Sequence, residues 1–387
     1  MRKLIRNISI LVVLNYSCTT DPVPSYDIIE KALHREYASN TAGIALAVVD
    51  ESGEIWSGSF GMADIKNAEA MTNDHVLNIA SVSKLIVATA MMRLVERGEV
   101  DLDQSVGKYL AFDLSNPYFP DKPITIRQLL THRSSILDNK FYEESYTTGP
   151  EIMDLQTWLE GYFVKGGPHY SNDNFGQYAP GTDWRYSNVG YGLLGLVIEN
   201  VAGVSLEAFC RNEIFLPLKM DQSQWVNPKA GMSVATSYLF MEELPDERMK
   251  TMLDAISTEE IVKDRYIPLE RYRFPNYPDG LLFTSVNDLK IFAQMVLNGG
   301  ELNGQRILKK STLNQMLELQ GPADDKQGIG WRYTGMGTIW GHGGDDPGVQ
   351  TGLYLDVEKK LGMVMIKNSN VGSRTSLLKQ LYRAADK

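Results

Sequence analysis

Ser81-Val82-Ser83-Lys84 stands between an apolar approach, Val76 to Ala80, and a run of Leu85, Ile86, Ala88, Met91, Met92, Leu94 and Val95 spaced for one wide helix face. The helical pattern stops at Gly98. Two residues three apart on a helix share a face, and here they are a hydroxyl and an amine. A serine hydroxyl is a weak nucleophile until a neighbouring base takes its proton, and a desolvated lysine can be that base. A helix N-terminus adds backbone N–H groups that can stabilise a developing oxyanion. The stretch therefore predicts a serine acyl-transfer site on the first turn of a buried helix.

The same spacing recurs at Ser105 and Lys108 and at Ser376 and Lys379. Ser105 lies in a charged turn region. Ser376 lies on a C-terminal helix pattern with Lys379, Arg383 and Lys387, a solvated face. Both read as capping serines with surface lysines. Lys84 differs because its helix reads as buried, and a buried lysine needs a partner.

The chain has 387 residues, 43% of them hydrophobic and 10% aromatic, enough for a substantial core in two or three structural units. Lys plus Arg is 38 and Asp plus Glu is 48, a net charge of −10 with no basic patch suited to nucleic acid. The histidines His34, His75, His132, His169 and His342 show no metal-ligand spacing. Neither a metal nor another cofactor is expected.

Arg2, Lys3 and Arg6 precede an apolar run from Ile8 to Leu14, then Ser17-Cys18 and the polar Thr19 to Pro22. This is the layout of a bacterial export signal. A small residue before Cys18 reads as a lipoprotein processing site, which makes Cys18 a candidate lipid anchor. The run falls short of the ~20 apolar residues that span a bilayer. Residues 1–25 are thus expected to be a signal or lipoprotein segment with a linker, and the protein periplasmic or membrane-anchored. The other cysteine, Cys210, sits in a helical pattern and reads as a small core hydrophobe.

Along the chain, residues 26–37 read as an amphipathic helix, 43–50 as a buried strand and 54–61 as a second strand after a Ser52-Gly53 turn. The other end repeats this texture. A Gly-rich stretch at 341–348 leads into strands at 350–356 and 361–368, and 373–385 closes the chain as a helix. The pattern predicts an α+β fold: an antiparallel sheet flanked by helices and built from both chain ends, 26–113 with 275–387. A mainly helical region, 114–274, is inserted, with helices expected at 126–130, 151–162, 189–201 and 205–212.

Tyr186-Ser187-Asn188 follows a polar loop and precedes the small-residue helix start Gly190-Tyr191-Gly192. A tyrosine at such a junction can point into a cleft, where the charge of Lys84 would favour its phenolate and make it a base. Tyr170 and Asn172 repeat the spacing, but in a polar loop with no helix after it. In His342-Gly343-Gly344 the glycines let a ligand approach the backbone. The N–H of Asp345 would then be a second oxyanion donor beside that of Ser81.

Ser-x-x-Lys, Tyr-x-Asn and His-x-Gly, in that order, resemble the three motifs of class C β-lactamases and their relatives, the DD-peptidase-type penicillin-binding proteins and the β-lactamase-fold esterases. Leu94-Val95-Glu96-Arg97-Gly98, Leu129-Leu130-Thr131-His132, Pro180-Gly181-Thr182, Gly280-Leu281-Leu282 and Gly341-His342-Gly343-Gly344 extend the resemblance from about residue 40 to 370. It implies that Ser81 is acylated and that Lys84 is its base partner. It also implies that Tyr186 moves protons in acylation and deacylation, that Asn188 holds Lys84 and the substrate amide, and that His342 lines the opposite wall. Two departures stand out. His342 replaces a lysine, and Arg133-Ser134-Ser135 replaces Thr-Ser-Gly. A neutral imidazole beside Asp345-Asp346 is a poor receptor for a substrate carboxylate.

The expectation is an exported serine hydrolase that forms an acyl-enzyme on a small-molecule or peptide ester or amide. The alternatives are a D-alanyl-D-alanine carboxypeptidase, a weak β-lactamase, or a catalytically silent binding or scaffold relative.

Overall fold

Strand β1 (Gly43–Asp50) shows why GIALAVVD is apolar throughout. Side chains alternate across a strand. Ala45, Ala47 and Val49 enter the main core, while Ile44, Leu46 and Val48 join a second cluster with Met363 and Met365 on the opposite face. The computed structural model describes residues 41–370 apart from 150–151, 243–246, 259 and 264. The expected helices at 26–37 and 373–385, the export segment with Cys18, and Ser376 lie outside the described residues.

Six further strands complete the main sheet: β2 (Glu54–Asp64), β3 (Glu69–Ala70), β4 (Arg332–Tyr333), β5 (Ile339–Asp346), β6 (Val349–Asp356) and β7 (Leu361–Lys367). Their order is β4-β5-β6-β7-β1-β2-β3, every pair antiparallel. Leu46 opposes Met365, so strands from the two ends of the chain meet in the middle of one sheet. The Gly-rich stretch proves to be strand β5 itself, ending in a turn at Pro347 and Gly348. β4 was not foreseen, because two residues carry no readable periodicity.

Helix α1 (Ser83–Glu96) buries eleven of its fourteen residues, which makes it the central helix of the molecule. It ends at Arg97, and Gly98 takes the left-handed conformation (φ +72°) that favours glycine at such a stop. Ser81 lies one step ahead of the α-helix, in a 3₁₀ turn (Ala80–Val82). Ala80 enters that turn at φ +46°, a strained value for a residue with a Cβ.

In the middle of the chain, α2 (Ile126–Leu130) opens on a capping box between Thr125 and Gln128. Helix α3 (Leu155–Phe163) begins four residues later than expected, where the Asp154 carboxylate accepts the Thr157 N–H. Helix α4 (Val189–Ala202) ends at Gly203. The helix expected at 205–212 is α-helical only over Leu206–Cys210, then passes through a π-turn, Arg211–Phe215. Helix α5 (Val286–Leu297) lies across β1 and β7. Cys210 is fully buried, as its helical context suggested.

Strand β5 presses its glycine edge against the Ser81 turn. A Cβ on Gly344 would lie 2.3 Å from Thr351 Oγ1 and 2.4 Å from the Ile79 carbonyl. Thr351 also donates a 2.6 Å hydrogen bond to that carbonyl. Gly344→Ala is therefore expected to destabilise the protein by about 1–3 kcal/mol, the range for overpacking. The check is urea unfolding, where an unchanged midpoint would show that the turn yields freely.

Candidate active site

The buried amine comes first, because its cost organises everything around it. Lys84 is fully buried on α1. Its Nζ donates to Asn188 Oδ1 at 2.8 Å, the Asp279 carbonyl at 2.7 Å and Ser81 Oγ at 3.1 Å. Asp279 Oδ2 lies 3.5 Å away. The rings of Tyr186 and Tyr191 face the ammonium at 5.1 and 5.4 Å.

Ser81 Oγ receives a second contact, a 2.8 Å hydrogen bond with the Tyr186 hydroxyl. Serine, lysine and tyrosine are thus joined through one oxygen, at the floor of a cleft of about 510 Å³. Asn188 sits at the head of α4. Its side-chain oxygen turns to Lys84 and its Nδ2 donates to Asp138 at 2.9 Å. Asp138 also accepts the backbone N–H groups of Asn188 and Val189 at 2.8 and 3.0 Å, an anion placed on a helix N-terminus. One amide hydrogen of Asn188 is thereby committed to Asp138 rather than to a ligand.

The opposite wall is β5. His342 is buried, and its Nδ1 lies 2.7 Å from the Gly343 carbonyl. A carbonyl only accepts, so Nδ1 carries a proton toward it. Gly344 provides close packing against Ile79 and Ala80, which carries Asp345 past the nucleophile's turn. The exposed Asp345 carboxylate accepts from Gln350 Nε2 at 3.2 Å. Asp346 is buried and held by the hydroxyls of Tyr146 (2.8 Å) and Tyr272 (2.7 Å). Burial, and then the Asp346 charge, push both phenols well above their ordinary value, so both stay protonated donors.

Several groups around the site carry no motif that announces them. Asp279, Asp138 and Asn276 are far from Lys84 in sequence. His132 stacks on Tyr186 with ring centroids 4.2 Å apart, and its Nδ1 accepts the Ser187 N–H at 3.2 Å. Burial first, then the charge on Lys84, hold its pKa well below 6.5, so it stays neutral. Arg332, at the start of β4, lines the cleft and lies over the Trp184 ring at 4.6 Å. No carboxylate pairs with it among the described residues. Lys326 lines the same side. The cleft therefore holds cations as well as the acidic pair seen in the sequence. Ser105, Tyr170 and Asn172 do not line it. Arg133, at the departure from Thr-Ser-Gly, donates to the carbonyls of Gly181 and Thr182 and pairs with Asp325. It braces the loop before Tyr186.

The sequence model of the Beta-lactamase family matches residues 28–386. Penicillin-binding protein 4* of Bacillus subtilis (strain 168) is 25% identical over 356 residues, covering 85% of this chain and 69% of that one. Protein flp of Staphylococcus aureus (strain COL) is 23% identical over 344 residues, 89% of this chain but 62% of its own length. The chain thus spans less than two thirds of this relative. The structure of D-amino acid amidase from Ochrobactrum anthropi SV3 complexed with D-phenylalanine matches with a TM-score of 0.71 at 25% identity, over 93% of this chain and 98% of that one. A match across nearly the whole sheet-and-helix unit places the chain in the Beta-lactamase family, a family of serine hydrolases.

Proposed function

We propose that the protein hydrolyses a small ester or amide through an acyl-enzyme on Ser81. The observation that carries this reading is the position of Ser81 Oγ, hydrogen-bonded to both Lys84 Nζ and the Tyr186 hydroxyl at the cleft floor. In this reading the Lys84 ammonium stabilises negative charge growing on Ser81 Oγ and on the Tyr186 oxygen. Tyr186 takes the serine proton during attack and returns it to the leaving group. The N–H groups of Ser81 and Asp345 receive the oxyanion, a contribution of about 10²–10³ in rate per donor. Water then releases the acyl group, with Tyr186 again moving the proton. The role is exported, as the N-terminal pattern suggests.

The exposed Asp345 carboxylate on the His342 wall supports neutral ester or amide substrates over penicillins, because it repels the carboxylate that penicillins present. The matched D-amino acid amidase is consistent with a small amide. A second reading, a peptide with a free carboxylate, is favoured by Arg332, a half-buried guanidinium in the cleft with no carboxylate partner among the described residues. A desolvated cation of this kind suits a bidentate anion.

Intact mass after a fluorophosphonate probe tests the nucleophile. Wild type should gain one adduct and Ser81→Ala none, with ester hydrolysis down at least ~10³-fold. Nitrocefin turnover matching an efficient β-lactamase would sink the preference for esters and amides. The same mass measurement on exported protein reads the lipid at Cys18.

Arg332→Ala separates the two substrate readings. If the substrate carries a carboxylate, kcat/KM on a D-alanyl-D-alanine peptide should fall at least ~10-fold further than on p-nitrophenyl acetate, about one charge-assisted hydrogen bond. Equal losses would remove the peptide reading.

His132 predicts a pH dependence of stability. Its folded-state pKa is depressed, so the stability it contributes is present above about pH 6.5 and is lost as pH falls below it. The loss approaches about 1.4 kcal/mol per pH unit. Unfolding midpoints between pH 7.5 and 5.5 should fall for wild type and fall less for His132→Gln. Equal slopes would assign the effect to other groups.

A further inference from the structure

The three motifs account for Ser81, Lys84, Tyr186 and Asn188, but not for the carboxylate that faces the lysine. Asp279 closes a 3₁₀ turn, Tyr277–Asp279, and its side chain is buried beside that of Lys84. Two groups hold it from different elements. Tyr142, on the short helix Lys140–Glu143, donates its hydroxyl to Oδ2 at 2.8 Å, and Asn276 Nδ2 donates to Oδ1 at 3.0 Å. The carboxylate is thus fixed beside the lysine by Asn276 from its own turn and by Tyr142 from a distant helix.

The donor count around the lysine leaves room for that charge. Asn188 Oδ1, the Asp279 carbonyl and Ser81 Oγ all lie within 3.1 Å of Lys84 Nζ. Asp138 fixes the orientation of the Asn188 amide, so an oxygen must face the lysine. A charged Lys84 donates to all three, whereas a neutral amine would donate to the two carbonyl oxygens and accept the Ser81 hydroxyl proton, so the buried carboxylate decides between the two. A buried carboxylate beside the same nitrogen favours the charged form. The other groups around the pair are the side chains of Tyr186, Tyr191, Tyr142 and Tyr146, the neutral His132, and Asp138 behind Asn188. Burial raises the Asp279 carboxyl above its ordinary value, opposed chiefly by Lys84 and by the Tyr142 hydrogen bond.

We propose that Asp279 is a positioning residue for the reaction: its carboxylate, held by Tyr142, keeps Lys84 charged and aimed at Ser81 Oγ. The inference rests on the hydrolase reading given above and adds a residue to it. A charged Lys84 has no lone pair for the serine proton. The reaction starts from Tyr186 as its phenolate, its own proton given up to solvent. As the bond between Oγ and the acyl carbon forms, the proton passes from Ser81 to that phenolate and the carbonyl π-pair moves onto its oxygen. Collapse breaks the bond to the leaving group, which takes that proton from Tyr186. Lys84 and Asp279 keep their protonation throughout.

Two experiments test this. The first is the pH profile of kcat/KM for ester hydrolysis, with Asp279→Asn and Tyr142→Phe against wild type. Removing the negative charge lets Lys84 lose its proton at lower pH. The alkaline limb should therefore move down by at least ~1 pH unit in Asp279→Asn, and in the same direction by less in Tyr142→Phe. Lowered rates with unmoved limbs in both variants would leave Asp279 a structural residue and overturn the proposal. The second is a double-mutant cycle of Asp279→Asn and Lys84→Met by urea unfolding, which needs no activity. The double variant should be less destabilised than the sum of the singles, because Asp279→Asn alone strands a buried charge. Additive changes would overturn the proposal. Wild type that fails to label at Ser81 would refute the hydrolase reading, and the cycle would still judge the Asp279–Lys84 pair.

Discussion

An amine in a dry interior is the constraint on which the rest of this structure depends. Lys84 has no exposed surface, so its nitrogen must meet oxygens supplied by the protein. Those oxygens come from three places: the Ser81 turn, the head of α4, and the turn before Gly280. Meeting one buried amine therefore fixes the relative position of three chain segments. The reactive serine is one of the three, so the same geometry that satisfies the lysine also activates the hydroxyl. Breaking one partner of such a set leaves the others desolvated and unmatched, which is why it holds together as a unit.

Around that charge the chain arranges a second tier of polar groups, each answering a need of the first. Asp138 caps α4 and turns the Asn188 amide so that its oxygen faces the lysine. His132 fills the back of the Tyr186 ring as a neutral imidazole. Tyr146, Tyr272 and Asn78 absorb the charge of Asp346, which would otherwise stand unmatched in the cleft wall. What remains for a ligand is the open side of the cleft, bounded by Arg332 and Lys326 as well as by Asp345 and His342. Both signs of charge border the space where a substrate would lie.

The sequence carried much of this in plain form. GIALAVVD reads as a strand because both faces of β1 are covered, and the strand runs where the pattern says. Helices α2 and α4 begin where Thr125 and the Tyr186-Ser187-Asn188 junction place them. The spacing of Ser81 and Lys84 on an apolar helix, with Tyr186 and His342 later in the chain, points to four residues that the fold gathers at the cleft and its floor. Other features left no local mark. The 3₁₀ turn at Ala80 arises because β5 and Thr351 hold the chain there, more than 260 residues away in sequence. The later start of α3 follows from a single cap, Asp154.

The division has a physical reason. Periodicity, caps and short motifs act over a few residues, so the sequence by itself determined the sheet built from both chain ends, the buried helix and the Ser-Lys, Tyr-Asn and His-Gly landmarks. Electrostatic partnership acts through space and is indifferent to separation along the chain. Asp279 is 195 residues from the lysine it faces, and Asp138 is 50 from the asparagine it orients. Arg332 enters the cleft from a two-residue strand that no pattern predicts. Only the tertiary structure decided which carboxylate answers Lys84, which cation borders the cleft, and therefore what charge a substrate meets there.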